Sequence, residues 1–191
     1  MKKIILISGK KRSGKNTLGN MLEDRFNSMG YSAIQESFAF PLKDHVVNCF
    51  YDYITLVNSR TDDDELHIKP FDDNKTAATR LFLQNFGTDF VRKQIDPLFW
   101  IKCAQKEVQK SMADVIIFTD CRFLNELLSF ETEDVIKIRI NRGNGFGDSH
   151  SSETELDDYE RFDYIIENDK SLVKLSNTAS EVATRIATGQ K

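Results

Sequence analysis

One nine-residue segment near the start of the chain constrains the fold more than any other. It reads Gly-Lys-Lys-Arg-Ser-Gly-Lys-Asn-Thr from Gly9 to Thr17. The apolar run before it, residues 3–8, is typical of a buried strand, and residues 16–29 carry apolar side chains at helical spacing. A loop with two glycines between a strand and a helix is the setting that the Walker A pattern, G-x-x-x-x-G-K-[ST], requires. The segment therefore predicts a phosphate-binding loop.

The residue types in this loop fit phosphate binding. Gly9 and Gly14 allow the backbone to curl so that its N–H groups converge on phosphate oxygens. The following helix offers its positive end to the same anion, and Lys15 adds a full charge for the terminal phosphates of ATP. Asn16 departs from the pattern, because a Ser or Thr usually stands there and ligates Mg²⁺. Thr17 follows one residue later, and an amide oxygen can still contact the metal or its water.

The rest of the chain alternates predicted strands with predicted helices. The predicted strands are residues 3–8, 31–38, 115–119, 135–140 and 164–166. The predicted helices are residues 16–29, 42–53, 76–86 (closed by Gly87), 99–112, 125–133 and 171–187. This alternation implies right-handed βαβ units and a mostly parallel sheet of about five strands covered on both faces, with residues 135–140 nearer an edge. Ligands of such three-layer α/β/α folds bind outside the carboxyl ends of the strands, where Gly9 and Asp120 fall.

We expect a single domain over residues 1–191. Its core is predicted at residues 1–53 and 76–191, with a substrate-side excursion at 54–75 and a lid-like segment at 142–162. Three prolines and the lack of a long Ser/Gly run argue against a linker between two domains.

Charge and composition exclude several classes of function. The formal net charge of -4 disfavours a nucleic-acid binder, whereas residues 1–15 hold six basic side chains and no acid. This local positive pole suggests a small phosphorylated ligand. The apolar N-terminal run is too short for a signal peptide or a membrane span, so we expect a cytoplasmic protein with no membrane partner. Three cysteines without CxxC spacing indicate reduced thiols rather than a zinc site. The oligomeric state stays open, and a homodimer is one option.

Several further segments carry a family resemblance. They are Lys11–Lys15, Phe40–Asp44, Arg80–Asp89 with Phe99-Trp100, Asp120-Cys-Arg122 with Glu126, Asp148-Ser-His150 with Glu153, and Ile166–Asp169. In these segments the chain resembles the phage deoxynucleoside monophosphate kinases, in order from the first strand to the last helix. The resemblance implies a P-loop NTPase fold with a mobile lid and an NMP-binding region. It also implies transfer of the γ-phosphoryl group of ATP to a deoxynucleoside monophosphate, for dNTP supply, in the host cytoplasm if the protein is phage-encoded.

The same resemblance, together with the loop pattern, assigns the site residues. ATP would be held by Gly9, Lys11, Arg12, Ser13, Gly14, Lys15, Asn16 and Thr17. The acceptor nucleotide would be held by Lys43, Arg80, Gly87, Trp100, Asp120, Arg122, Glu126, His150 and Glu153. Mg²⁺ would be held by Asn16, Thr17 and Asp120, partly through water; the family commonly has an acidic residue where Asn16 stands. A substrate-clamping arginine expected within residues 54–75 could be Arg60.

Phosphoryl transfer to a phosphate needs clustered cations rather than a general base. The second pKa of a phosphate monoester is ~6, so the acceptor is already nucleophilic at neutral pH. Catalysis then consists of bringing two anions together and stabilising the charge on the phosphoryl group during its transfer. Lys15, Arg80 and Arg122, with Asp120, are the residues predicted to act in this way.

Plainer structural readings remain for three of these residues. Asp120 could cap a helix, Arg122 could pair with Asp120 or Glu126, and a lone tryptophan such as Trp100 is more often core than ligand.

Two other functions compete with the predicted one. The first is another small-molecule P-loop kinase, acting on ribonucleotides or on phosphomevalonate, for which the same positive cleft would serve. The second is a nucleotide-dependent switch, which has little support, because residues 74–77 miss the acid of the guanine motif N-K-x-D. A nucleic-acid 5′-end kinase is a weaker third option, disfavoured by the acidic balance.

Overall fold

The computed structural model describes residues 2–39, 85–130, 134–143 and 154–190. The strands are β1 (Lys3–Ser8), β2 (Ala33–Glu36), β3 (Val115–Phe118), β4 (Asp134–Asn141) and β5 (Tyr164–Glu167). The α-helices are α1 (Lys15–Ser28), α2 (Phe99–Lys110), α3 (Leu124–Leu127) and α4 (Leu172–Ala187), and a π-helix, π1, spans Asn85–Ile95. Among the described residues, no helix is both long and apolar enough to cross a bilayer.

The five strands form one parallel sheet in the order β2-β3-β1-β4-β5. Ile5 of β1 lies opposite Ile117 on one side and Ile136 on the other. The central strands β1 and β3 are apolar along almost their whole length because both faces of the sheet are covered. The alternating strand β4 is second from one edge of the sheet, and β3 is second from the other, so β4 lies no nearer an edge than β3. The predicted α/β class and the sheet of about five strands are therefore confirmed.

Each face of the sheet has its own core. Successive residues of β1 point to opposite faces, so Ile5 and Ile7 belong to one cluster and Ile4 and Leu6 to the other. The first cluster includes the apolar sides of α1 and α4. The second contains α2 residues and three rings in mutual contact, Phe38, Phe118 and Phe130. Helices on both faces make the three layers expected from the sequence.

The chain divides into two compact units, residues 1–38 with 101–191 and residues 39–100. Within the described part of the second unit, Trp100 Nε1 donates a hydrogen bond to the Gly87 carbonyl oxygen at 2.9 Å. Val91 and Trp100 form a small buried cluster with Phe86 packed against it. The prediction of a single domain stays a prediction.

Two predicted helix ends are wrong. Gly87 was expected to close a helix, but it lies inside π1, which continues to Ile95. Packing of Val91 and Trp100 outweighs the tendency of glycine to end helices. Helix 125–133 is shorter than predicted and ends at Leu127, because the Ser129 hydroxyl and N–H both bond the Glu126 carbonyl oxygen, at 2.7 and 3.2 Å. The predicted helix 42–53, most of 76–86 and the excursion 54–75 lie outside the described residues.

Candidate functional site

The loop between β1 and α1 folds into a tight turn around its lysine. Gly14 takes a left-handed φ of 103°, and Arg12 takes a φ of 62°, which is rare for a residue with a side chain. The ammonium group of Lys15 donates hydrogen bonds to the carbonyl oxygens of Gly9 and Lys10, at 2.6 and 2.8 Å. Lys15 is 8% exposed, so its charge is held inside the loop. The loop backbone thus gathers around a cation at the carboxyl end of β1.

The loop is also tied to the ends of two other strands. The Asn168 side-chain amide donates to the Ser13 carbonyl oxygen at 2.8 Å, and the Asn168 N–H donates to the Asn141 carbonyl oxygen at 2.8 Å. A Cβ on Gly14 would lie 2.5 Å from Nδ2 of Asn168, so only glycine allows this approach. Ser13 itself is 1% exposed, and its hydroxyl has no hydrogen-bond partner among the residues that the structure describes.

The first turn of α1 is suited to an anion. Its N-cap is Gly14, with no side-chain cap and no acidic residue in the first turn. N–H groups at such a helix start attract phosphate. Asn16 is exposed and Thr17 is half-buried. The structure brings together, at this one strand end, the predicted ATP-binding residues Gly9, Lys11, Arg12, Ser13, Gly14, Lys15, Asn16 and Thr17.

A shared carboxylate lies on the β4 side of the loop. One oxygen of Asp157 pairs with the Lys10 ammonium at 2.8 Å, and the other accepts from the Arg139 guanidinium at 2.7 Å. Arg139 also donates to the Ser8 hydroxyl at 3.1 Å. Partial burial raises the pKa of Asp157, but the hydrogen bonds and charges of Lys10 and Arg139 outweigh it and hold that pKa below its ordinary value. Asp157 is therefore ionised at neutral pH.

Asp120 follows β3 and lies at the same edge of the sheet as the loop. One of its oxygens accepts from the Ser37 hydroxyl at 2.6 Å and the other from the Phe38 N–H at 3.0 Å. The carboxylate therefore fixes the chain that leaves β2.

Glu126 and Arg122 are adjacent at the start of α3. One oxygen of Glu126 accepts from the N–H groups of Arg122 and Phe123, at 2.7 and 3.1 Å. Glu126 is 2% exposed and satisfies the N–H groups at the start of its own helix. These contacts account for Glu126 without a nucleotide, so its place in the acceptor site stays a prediction.

The other residues predicted to bind the acceptor nucleotide are Gly87 and Trp100 of the second unit and four residues that the structure does not describe. Gly87 and Trp100 contact each other within the second unit, and Trp100 is only 5% exposed. This matches the core reading of the lone tryptophan, and a ligand role stays a prediction. Four predicted residues, Lys43, Arg80, His150 and Glu153, lie outside the described residues, as does Arg60.

The predicted positive pole of residues 1–15 is wrong for two lysines. The Lys2 ammonium donates to the carbonyl oxygens of Val108 and Ser111, at 2.6 and 2.8 Å, and so caps the end of α2. Lys3 pairs with Asp134 at 2.5 Å. Both lie at the amino end of β1, about 20 Å from the loop at 3.3 Å per residue. Of the six basic residues within 2–15, the four after β1 lie in or next to the loop.

Two contributions to the site were missed by the sequence reading, those of Asp157 and Ser37. Asp157 lies among several acidic residues, and the sequence pattern does not distinguish its carboxylate from theirs. Ser37 gives no signal without the sheet order that places it beside Asp120. In the part of the chain that the structure describes, no group of three or more His, Cys, Asp or Glu side chains could hold a metal ion.

Comparison with known proteins identifies the family. The model of the family described as deoxynucleotide monophosphate kinase matches residues 57–179, more than half of the chain. The chain belongs to the deoxynucleotide monophosphate kinase family. It is therefore a phosphotransferase that uses a nucleotide and acts on small-molecule nucleotide substrates.

The individual proteins that match the chain have low sequence identity to it. A protein of Acanthamoeba polyphaga mimivirus, whose name assigns it to the same kinases, is 28% identical over 189 residues, covering 88% of this chain and 90% of the relative. A gluconokinase structure from Sinorhizobium meliloti 1021 matches with 13% identity and a TM-score of 0.48, covering 98% of this chain and 94% of its own. A dephospho-CoA kinase structure from Campylobacter jejuni matches with 15% identity and a TM-score of 0.45, covering 99% of each chain. At these TM-scores the two structures support no conclusion about this chain.

Proposed function

We propose that the protein transfers the γ-phosphoryl group of Mg-ATP to a deoxynucleoside 5′-monophosphate, giving the diphosphate. The observation that carries this proposal is the glycine loop around Lys15 at the carboxyl end of β1, in a chain of this kinase family. Parallel α/β folds bind their ligands at that edge of the sheet. The proposed location is the cytoplasm, with no nucleic-acid or membrane partner. A homodimer is compatible with the proposal, but no step requires one.

The loop would hold the triphosphate of ATP. N–H groups from the loop and from the first turn of α1 would surround the phosphate oxygens, and Lys15 would offer its ammonium to the terminal phosphates. In the structure that ammonium donates hydrogen bonds to the carbonyl oxygens of Gly9 and Lys10, which keep it inside the loop. Part of the entropy of ordering its long side chain is therefore lost before ATP binds.

The residues near the loop fit a magnesium ion. Asn16, Thr17 and Asp120 offer amide, hydroxyl and carboxylate oxygens, the donor type that Mg²⁺ prefers. Asn16 is exposed and Thr17 half-buried, so both are accessible from solvent. Because both Asp120 oxygens already accept hydrogen bonds, we assign it a contact through water. When bound, the ion would neutralise charge on the phosphates.

Asp120, Arg122 and Glu126 would hold the acceptor at the same edge of the sheet. The family resemblance also assigns Lys43, Arg80, Gly87, Trp100, His150 and Glu153 to acceptor binding. The acceptor phosphate is already a dianion, so the protein needs cations rather than a base. Among described residues, Arg122 is the cation we assign to the transferring group. Within the structure, Glu126 fixes the backbone of this arginine. The lid-like closure of residues 142–162 stays a prediction, and Leu156 within that segment is 3% exposed and belongs to the core on one face of the sheet.

The test is a substrate panel with a loop variant. We expect ADP formation from Mg-ATP with one or more dNMPs, weaker turnover with rNMPs, and a loss on the order of 10²–10³-fold in kcat for Lys15→Ala, as when one donor to a developing anion is removed. Lys106→Ala, which removes an exposed lysine of α2, is the matched control and should behave like wild type.

Other results would redirect the assignment. Transfer to a ribonucleotide or to phosphomevalonate, but to no dNMP, would favour the other small-molecule kinases. ATP binding without transfer to any acceptor would contradict the kinase proposal and favour a switch.

A further inference from the structure

The contact between Asp157 and the phosphate loop has no part in the function described so far. Asp157 follows Thr154 in a short turn closed by the Asp157 N–H and the Thr154 carbonyl oxygen, at 3.0 Å. The preceding side chain, Leu156, is 3% exposed and belongs to the core on one face of the sheet. This anchoring fixes the position of the carboxylate, although the residue falls within the predicted lid-like segment.

The two carboxylate oxygens contact different parts of the site. One holds Lys10, the second residue of the loop, at 2.8 Å. The other holds Arg139 of β4 at 2.7 Å, and Arg139 also bonds the Ser8 hydroxyl at the end of β1. Ser8 and Lys10 flank Gly9, whose carbonyl oxygen accepts from Lys15. Asp157 thus fixes both neighbours of a residue that holds the loop lysine.

We propose that Asp157 is a positioning residue of the phosphate-transfer site, which sets the shape of the first half of the loop through Lys10 and through Arg139 and Ser8. This inference rests on the proposed function. Lys10 and Asp157 side chains are 38% and 30% exposed, so their pairing adds little to overall stability. The effect we infer is therefore on geometry at the site rather than on folding.

A charge effect and a positioning effect predict opposite results for Asp157→Asn. The substitution removes a negative charge beside two cations, and by charge alone ATP would bind more tightly. If Asp157 positions the loop, Lys10 and Arg139 lose their common partner and ATP binds more weakly despite the extra positive charge. A misplacement of about 1 Å can reduce a rate by roughly 10²-fold.

The experiment measures ATP affinity by calorimetry and steady-state kinetics with a dNMP, on the full chain. For Asp157→Asn we expect kcat/KM for ATP to fall by roughly 10- to 100-fold and the ATP Kd to rise, with the KM for the dNMP unchanged. Asp158→Asn makes the same charge change one residue later, and should match wild type. Asp157→Glu keeps the charge and should recover part of the loss.

A double variant tests whether Asp157 affects ATP binding through Lys10 or by a nonspecific disturbance of the structure. Because Asp157 acts partly through Lys10, Lys10→Met combined with Asp157→Asn should lose less than the product of the two single effects. Tighter ATP binding by Asp157→Asn, parameters equal to those of Asp158→Asn, or fully multiplicative losses would each overturn the proposal. So would a lowered melting temperature with unchanged ATP parameters. If the wild-type protein binds ATP but transfers to no dNMP, the proposed function fails, and the calorimetric comparison still decides the role of Asp157.

Discussion

Gly9→Ala should damage the phosphate loop because the added methyl group has no room. A Cβ at this position would lie 2.3 Å from the Ile140 carbonyl oxygen, 2.7 Å from the Ser13 hydroxyl and 3.1 Å from the Ile140 Cγ2. Non-bonded heavy atoms are attracted at ~3.5–4.0 Å, so the first two distances are strongly repulsive. Ile140 belongs to β4, which is paired on both sides by β1 and β5. Its backbone cannot move without disturbing the sheet, so we expect the loop to move instead.

The expected loss of stability in Gly9→Ala follows from these close contacts. Inserting a methylene into a packed site costs about 1–3 kcal/mol, which is less than the ~5–15 kcal/mol by which folded domains are stable. The variant should therefore fold. In a chain of this size each kcal/mol lowers the melting temperature by roughly 2–4 °C, so we expect a decrease of about 2–12 °C. Gly9 also supplies a carbonyl oxygen to Lys15, so a moved loop should lose affinity for ATP.

Thermal unfolding with and without Mg-ATP checks both parts. Gly30→Ala is the control, because Gly30 has a φ of 87° and no described residue has an atom within 4 Å of its added Cβ. It should lose only the ~1–2 kcal/mol of left-handed strain and keep the full rise in melting temperature with ATP. If Gly9→Ala melts like wild type and is stabilised by ATP to the same degree, the steric reasoning is wrong.

Two further predictions concern single side chains. Ser13→Ala removes a buried hydroxyl that has no hydrogen-bond partner within the described part of the chain. The free energy of unfolding without ATP should therefore stay unchanged or rise by about 1 kcal/mol, while the stabilisation by ATP shrinks. Marked destabilisation of the variant in thermal melts without ATP would contradict this. Burial and, to a lesser extent, the negative charge of Glu107 raise the pKa of Glu36. The stabilising contribution of the protonated carboxyl is therefore present at low pH and is lost as pH rises through the folded pKa. Glu36→Gln should therefore stabilise the protein at pH 7, by no more than ~0.5 kcal/mol because solvent screens this partly exposed group, with little difference below the ordinary value of 4.5. Urea unfolding at the two pH values measures this change.

The sequence predicted those elements whose residues carry a local signal. β1 and β3 are runs of apolar residues because both their faces are buried, and they were found with nearly correct ends. The predicted strand at residues 31–38 is shorter in the structure, Ala33–Glu36, as expected for an edge strand with few packing contacts. The strand order β2-β3-β1-β4-β5 could not be predicted, because right-handed crossovers allow several orders and periodicity does not choose among them.

The same division holds within the site. The loop residues from Gly9 to Thr17 are contiguous, so a pattern reveals them. Charge counted along the chain grouped Lys2 and Lys3 with them, although a strand separates these lysines from the loop. Asp157 could not be assigned, because its partner Lys10 lies at the other end of the chain and an acidic run offers no reason to choose one carboxylate.

The contacts that shape the loop imply that the Walker A pattern alone does not make the site. Gly9 packs against Ile140, and Gly14 against Asn168. Lys10 pairs with Asp157. All three partners lie at or beyond the carboxyl end of β4, and bringing them to the loop requires β4 and β5 to join the sheet beside β1. The nine-residue motif supplies the groups that would touch phosphate, whereas the last third of the chain fixes where those groups stand. Asp157→Asn should therefore impair ATP binding while leaving every residue of the nine-residue motif unchanged in identity.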